Sequence, residues 1–255
     1  MNPAATGNHA GARWAPAAVA VCVVAGAAVG GALVFAPAGA LQPLPQVIAA
    51  ALLGVYNLAL AVLLACRAPR HPASALMAAS GLAVFVLNVI ADGAWGPWVG
   101  TWTLLYLPLA ALLLIVPDGR AAGPWRAVGW VFVGVVAGFI VATGVAVVSP
   151  AAEAGATVAA LALLALFLAG LVACAVAPIA RYRRADDTDR LRLRWVLLAG
   201  TTLPLTLLLC WTSYLVVGGP GLVGIGLVLM YLALPAGVPV PLRRPALVEV
   251  HRVLE

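Results

Sequence analysis

Three histidines and four cysteines are the residues of this chain best suited to metal binding, nucleophilic attack or proton transfer. His9, His71 and His251 stand far apart, each without a second ligand at metal spacing. Cys22, Cys66, Cys174 and Cys210 occur singly within apolar runs. They spell out neither a zinc set nor a disulfide framework, and a buried cysteine packs as a small apolar group. No Walker loop, GxSxG elbow or HExxH pair occurs. The residue types therefore name no catalytic residue, no metal site and no cofactor. Pro117-Asp118-Gly119-Arg120 reads as a turn, because Pro, Asp and Gly supply turn geometry.

The remaining chemistry is polar groups set into, or at the edges of, apolar runs. Asn57, beside Tyr56, and Asn88 lie inside such runs. Amides there either bond between helices, worth about 1 kcal/mol, or touch a ligand, so Asn57 and Asn88 are the candidates for intramembrane sensing. Trp95, Trp98 and Trp102 cluster between two runs and form either an aromatic belt or a small-molecule platform at the outer rim. The stretch RYRRADDTDRLRLRW at 181–195 holds six of the fourteen arginines and three of the eight acids. Asp186, Asp187, Arg190, Arg194 and Trp195 are its coupling candidates. Arg183 and Asp187, and Asp186 and Arg190, are four apart and would share a helix face, each pair worth a few tenths of a kcal/mol. A short helix here would lie along the headgroups with Trp195 at the interface. A charged turn that anchors two helices is the plainer alternative.

Composition decides what positions these groups. At 65% hydrophobic and a mean hydropathy of +1.11, a chain of 255 residues cannot hide its apolar surface in one core, so its solvent is lipid. Eight stretches free of Asp, Glu, Lys and Arg cover 15–37, 44–66, 72–91, 99–116, 127–149, 157–180, 195–217 and 221–242. Each approaches the ~20 residues that a spanning helix needs, and none alternates as a barrel strand does. The fold class is therefore all-α, a polytopic transmembrane helix bundle of about eight helices. Pro235, Pro239 and Pro241 predict that the last helix kinks at Pro235 or ends near it. The first run follows Arg13 and leads into APAGA at 36–40, the layout of a signal peptide, but it exceeds the roughly 7–15 residues of a signal core, so an uncleaved helix is expected.

All fourteen arginines fall in the tails and the even-numbered connections, while the odd ones hold only Asp92 and Glu153. Positive residues stay cytoplasmic, which predicts N-in/C-in: a cytoplasmic tail over 1–14, a membrane domain over 15–242 with a cytoplasmic loop at 181–194, and a second tail over 243–255. Arginines set between apolar runs face anionic headgroups, so the basic charge points to the lipid bilayer as partner and not to nucleic acid. Arginine without lysine and the Ala, Val, Leu and Gly excess point to a GC-rich genome.

Three stretches together resemble the N-terminal membrane region of actinobacterial two-component sensor histidine kinases. They are RHPASALMAASGL at 70–82, LLLIVPDGRAAGPWRAVGW at 112–130 and the 181–195 segment. The resemblance rests on a His-Pro helix entry, a Pro-Asp-Gly-Arg turn followed by Trp-Arg, and an Arg-Tyr-Arg-Arg segment leading to Trp. The tail PLRRPALVEVHRVLE departs from the family's pattern: Glu249 keeps an acid, but Val248 and His251 replace a Tyr and an Asp, and upstream Arg192 stands where Gln is common. The resemblance implies an input module of the plasma (inner) membrane, with a kinase core or a response regulator as partner. The family's kinase core has no counterpart in these residues. The expectation is thus the sensor portion of a kinase or a stand-alone relative that phosphorylates nothing by itself.

Two other classes compete. One is a small transporter or permease subunit, although no ionisable side chain lies in a run, and proton-driven carriers keep such groups there. The other is a non-catalytic membrane protein that binds another membrane protein. Gly134 and Gly138 fit a small-xxx-small pattern, which leaves a homodimer open.

Overall fold

The computed structural model describes residues 14–33, 35, 42–69, 71–89, 100–121, 123–218 and 221–239. Among them the secondary structure is helical, with no strand. The helices are α1 (Ala15–Leu33), α2 (Leu44–Arg67), α3 (Ala73–Val89), α4 (Leu107–Ile115), α5 (Pro124–Val148), α6 (Glu153–Arg184), α7 (Asp187–Gly200), α8 (Thr202–Thr212) and α9 (Gly221–Gly237). A tight helical turn leads into α4, making one apolar rod, Gly100–Ile115.

The seventh rod is continuous across α7 and α8. Thr201 keeps helical angles (φ −66°, ψ −21°). Its N–H donates to Leu197 O at 3.0 Å, and its carbonyl accepts from Leu205 N–H at 3.2 Å. A π-helical turn, Ser213–Val217, extends α8 until Gly218 ends it in the left-handed region (φ 72°). Counted as rods, the described helices follow the eight expected apolar stretches in order. Among the described residues, five segments are long and apolar enough to cross a membrane: Ala15–Ala32, Leu44–Arg67, Pro124–Val148, Glu153–Arg184 and Leu193–Cys210. Ala73–Val89, Gly100–Ile115 and Leu222–Gly237 are apolar but shorter.

The packing has lipid as its outer solvent. Val21 and Val24 of α1, Val141 and Val148 of α5, and Val158 and Leu161 of α6 are exposed. Water would not tolerate so broad an apolar surface. The chain is thus a helical membrane bundle. Helices α3 and α4 are its centre: Met77 and Val84 of α3 and Leu109, Leu112 and Leu113 of α4 are buried, together with Phe167 and Leu171 of α6. Helices α2 and α3 meet backbone to backbone. A Cβ on Gly81 would lie 2.9 Å from Gly54 O, so only glycine allows this approach.

The structure corrects the expected loop at 181–194. Helix α6 runs through Arg184 and α7 starts at Asp187, leaving Ala185 and Asp186 as the elbow. Arg and Ala are strong helix formers, and after Pro178 no Pro or Gly interrupts the chain before Ala185. The segment after the elbow is not a separate helix lying along the headgroups but the first turns of the seventh rod. The last helix ends close to where its prolines predict, at Gly237 with Pro235 inside. The tails at 1–13 and 240–255 lie outside the described residues.

Candidate functional site

The sequence gives α4 no residue after Val116 that can continue a helix: Pro117 removes a donor, and Gly119 turns the chain with φ 77°. Gly119 N–H bonds back to Ile115 O at 2.8 Å. Two side chains from distant connections close on this turn. The His71 ring, from the α2–α3 connection, has Nε2 2.9 Å from Pro117 O, and its Nδ1 accepts from Ala73 N–H at 3.2 Å. An Nδ1 that accepts carries no proton, so this geometry assigns the hydrogen to Nε2, which donates to Pro117. The ring thus caps the first turn of α3 and grips the α4–α5 turn together. Its burial lowers the His71 pKa from the ordinary value, against smaller upward pulls from the Pro117 bond and the Asp118 charge. The fit is close: a Cβ on Gly119 would lie 3.3 Å from His71 Nε2.

Arg181 arrives from α6. Its Nη1 donates to Val116 O at 2.6 Å, and its Nη2 donates to Leu114 O. These carbonyls belong to the end of α4, where no further turn satisfies them and where the helix dipole favours a cation. His71, Pro117 and Arg181 therefore tie the second, fourth and sixth connections into one node at the arginine-rich end. Each of the three stretches that carry the sequence resemblance contributes one member.

The node continues into the C-terminal third. Arg194 Nε donates to Tyr182 Oη at 3.4 Å, joining α7 to α6 one residue beyond Arg181. Leu193, Val196 and Ala199 are buried on α7. A Cβ on Gly237 would lie 2.8 Å from Ala199 Cβ and 3.1 Å from Trp195 O, so the end of α9 rests against the α7 backbone.

Of the coupling candidates, Asp186 sits at the elbow, and its carbonyl accepts from Arg190 N–H at 2.9 Å. Arg183 and Asp187 fall on opposite sides of the break between α6 and α7, so they do not share one helix face. The Asp187 side chain lies outside the described residues. Trp195 is 54% exposed on α7.

The intramembrane candidates divide. Asn57 is fully buried between α2, α3 and α9. Its Nδ2 donates to Leu53 O (2.8 Å) and Tyr231 O (3.2 Å). Ser80 Oγ lies 3.0 Å from Asn57 Oδ1 and 2.8 Å from Met77 O, sharing one proton between them. Tyr231 Oη in turn donates to Leu105 O at 2.6 Å. Asn57 is thus the hub of a closed interhelical network. Asn88 is half-buried and donates within its own helix, to Val84 O at 2.9 Å. At the rim, Trp95 and Trp98 lie outside the described residues. Trp102 is 39% exposed and meets Tyr106, Phe139 and Phe167 edge-on, with ring centroids 6.1, 5.8 and 5.7 Å away.

Sequence reasoning gave neither Arg181 nor His71 this role: Arg181 reads there as part of a charged connection, and His71 as a histidine without a second metal ligand. Among the described residues, no three His, Cys, Asp or Glu side chains gather into a metal set. The node's groups are backbone carbonyls, one imidazole and guanidinium ions, an arrangement suited to mechanical coupling and anion contact. No protein-family model, curated protein or solved structure matches this chain.

Proposed function

We propose that this chain is a signalling module of the plasma membrane, oriented N-in/C-in, that reads a stimulus within the bilayer and delivers it at its arginine-rich cytoplasmic end. The resemblance to the membrane region of sensor histidine kinases supports this reading. The observation that carries it is the His71–Pro117–Arg181 node. It links three connections far apart in sequence, and Arg194 and Gly237 extend the contact to the end of α9. A change in tilt of α3, α4 or α6 would reach the C-terminal exit through these contacts. A stimulus shifts such a bundle only by its different affinity for two arrangements, so the node is the element to be biased.

The test is Arg181→Gln, made with a histidine kinase core joined in frame after the C-terminal tail. Autophosphorylation is measured with and without the activating condition, alongside membrane levels. The expected result is normal insertion with a signalling ratio shifted severalfold. An unchanged ratio at normal levels overturns the coupling role.

A further inference from the structure

Arg183 and Arg194 each stand at the head of a stripe of lipid-facing side chains. On α6, Val172, Val176 and Ile179 are exposed and lead at spacings of four, three and four to Arg183, which is also exposed. On the seventh rod, Leu208, Leu205, Thr201 and Leu198 are exposed and lead at spacings of three, four, three and four to Arg194. Such spacings keep each set on one helix face. Tyr182, the neighbour of Arg183 on α6, bonds to Arg194, so the two helices meet at the level of these arginines. Trp195, exposed beside Arg194, has the amphipathic ring that settles at the headgroup layer and sets the depth of this level.

Arg194 turns its Nε to Tyr182 and is exposed, and the edge formed by its two Nη groups has the fork geometry that suits phosphate. Exposed Arg183 and Arg184 add charge from α6, with Asp186 at the elbow as the described acid beside them. We propose that the seam between α6 and α7 is a binding site for an anionic phospholipid, whose phosphate rests on Arg183 and Arg194 while its acyl chains run along the Leu198–Leu205–Leu208 and Ile179–Val176–Val172 stripes. The site requires the membrane setting but does not rest on the signalling role. Lipid is favoured over a free phosphate because the cationic heads are continuous with apolar faces long enough for acyl chains.

The experiment uses the full chain purified into phosphatidylcholine nanodiscs and titrated with phosphatidylglycerol, with bound lipid counted by native mass spectrometry. Arg183→Gln with Arg194→Gln should weaken phosphatidylglycerol retention about fivefold for each arginine removed, with helix content unchanged by circular dichroism. Arg67→Gln with Arg126→Gln removes the same charge from the same end but outside the seam, and should leave retention within about twofold of the parent. Leu198→Asn should weaken retention while leaving both arginines in place. Inorganic phosphate added at the lipid's concentration should not displace it. Equal losses in the two double variants would reduce the site to diffuse charge and overturn the proposal. Displacement by inorganic phosphate, or full retention in Leu198→Asn, would overturn the acyl component.

Discussion

His71 and Pro117 are 46 residues apart in sequence and meet through a single 2.9 Å contact between an imidazole nitrogen and a carbonyl. That contact makes the arginine-rich end one unit. It depends on a neutral ring, because Nδ1 must stay bare to accept from Ala73 N–H.

The clamp should therefore be sensitive to acid. Burial depresses the His71 pKa in the folded state. A group with a depressed folded pKa contributes stability that is complete above its unfolded value, about 6.5 for histidine, and that is lost as pH falls through the lowered folded value. Melting temperatures of the purified chain from about pH 8 to about pH 5 should fall at the acid end, and His71→Asn should flatten that slope. Asp118 pulls the His71 pKa up, so Asp118→Asn should extend the loss to lower pH. An acid slope identical in the parent and in His71→Asn would assign it to other groups.

The two intramembrane amides should separate in stability. Asn57→Leu removes the acceptor of Ser80 and two donors to backbone carbonyls on α2 and α9. Interhelical hydrogen bonds in membranes average about 0.6 kcal/mol and two are lost, to Tyr231 O and from Ser80, so a cost of roughly 1–2 kcal/mol is expected. Asn88→Leu removes one bond within its own helix and should change stability by less than about 0.5 kcal/mol. Unfolding in mixed micelles measures both. Equal costs would mean that Asn57 is no hub.

The helices were legible in the sequence because lipid imposes a simple rule. A run without charge and of about spanning length has little choice but to be a helix. The node was not legible, for a physical reason. Arg181 and His71 bond to backbone carbonyls, and every residue has one, so no partner residue type marks the position. The extent of the loop at 181–194 is hidden for a related reason. Charge density suggests a loop, but arginine-rich segments are good helix formers, and the chain bends only at Ala185–Asp186. Asn57 was visible as a lone amide in an apolar run. Its partnership with Ser80 and Tyr231 required knowing that α2, α3 and α9 meet.

Topology is the next expectation, and it rests on the split of fourteen arginines toward one set of connections. Reporter fusions after Glu153 should score external, and fusions after Asp186 and Arg252 should score cytoplasmic. The His71–Pro117 and Arg181–Val116 contacts require the second, fourth and sixth connections to share a face. An external score after Asp186 would contradict the positive-inside assignment and detach the arginine-rich end from the cytoplasm.

The seam between α7 and α9 gives the sharpest test of coupling, because one methyl group is the difference between fit and clash. Gly237→Ala would place a methyl group 2.8 Å from Ala199 Cβ and 3.1 Å from Trp195 O. The backbone oxygen cannot move without shifting α7, so α9 must withdraw. Overpacking of this kind costs about 1–3 kcal/mol. The gain in helix propensity from Gly to Ala is at most about 1 kcal/mol and is smaller at the last residue of α9, so the clash should win. Ala199→Gly removes the nearer obstacle. The double variant should recover part of the loss beyond what the two single changes predict, a positive coupling that a double-mutant cycle in unfolding experiments reads directly. Output through an attached kinase core should shift in Gly237→Ala and move back toward the parent in the double variant. A Gly237→Ala chain as stable as the parent, with the same output, would show that α9 does not bear on α7 and would break the path at its last contact.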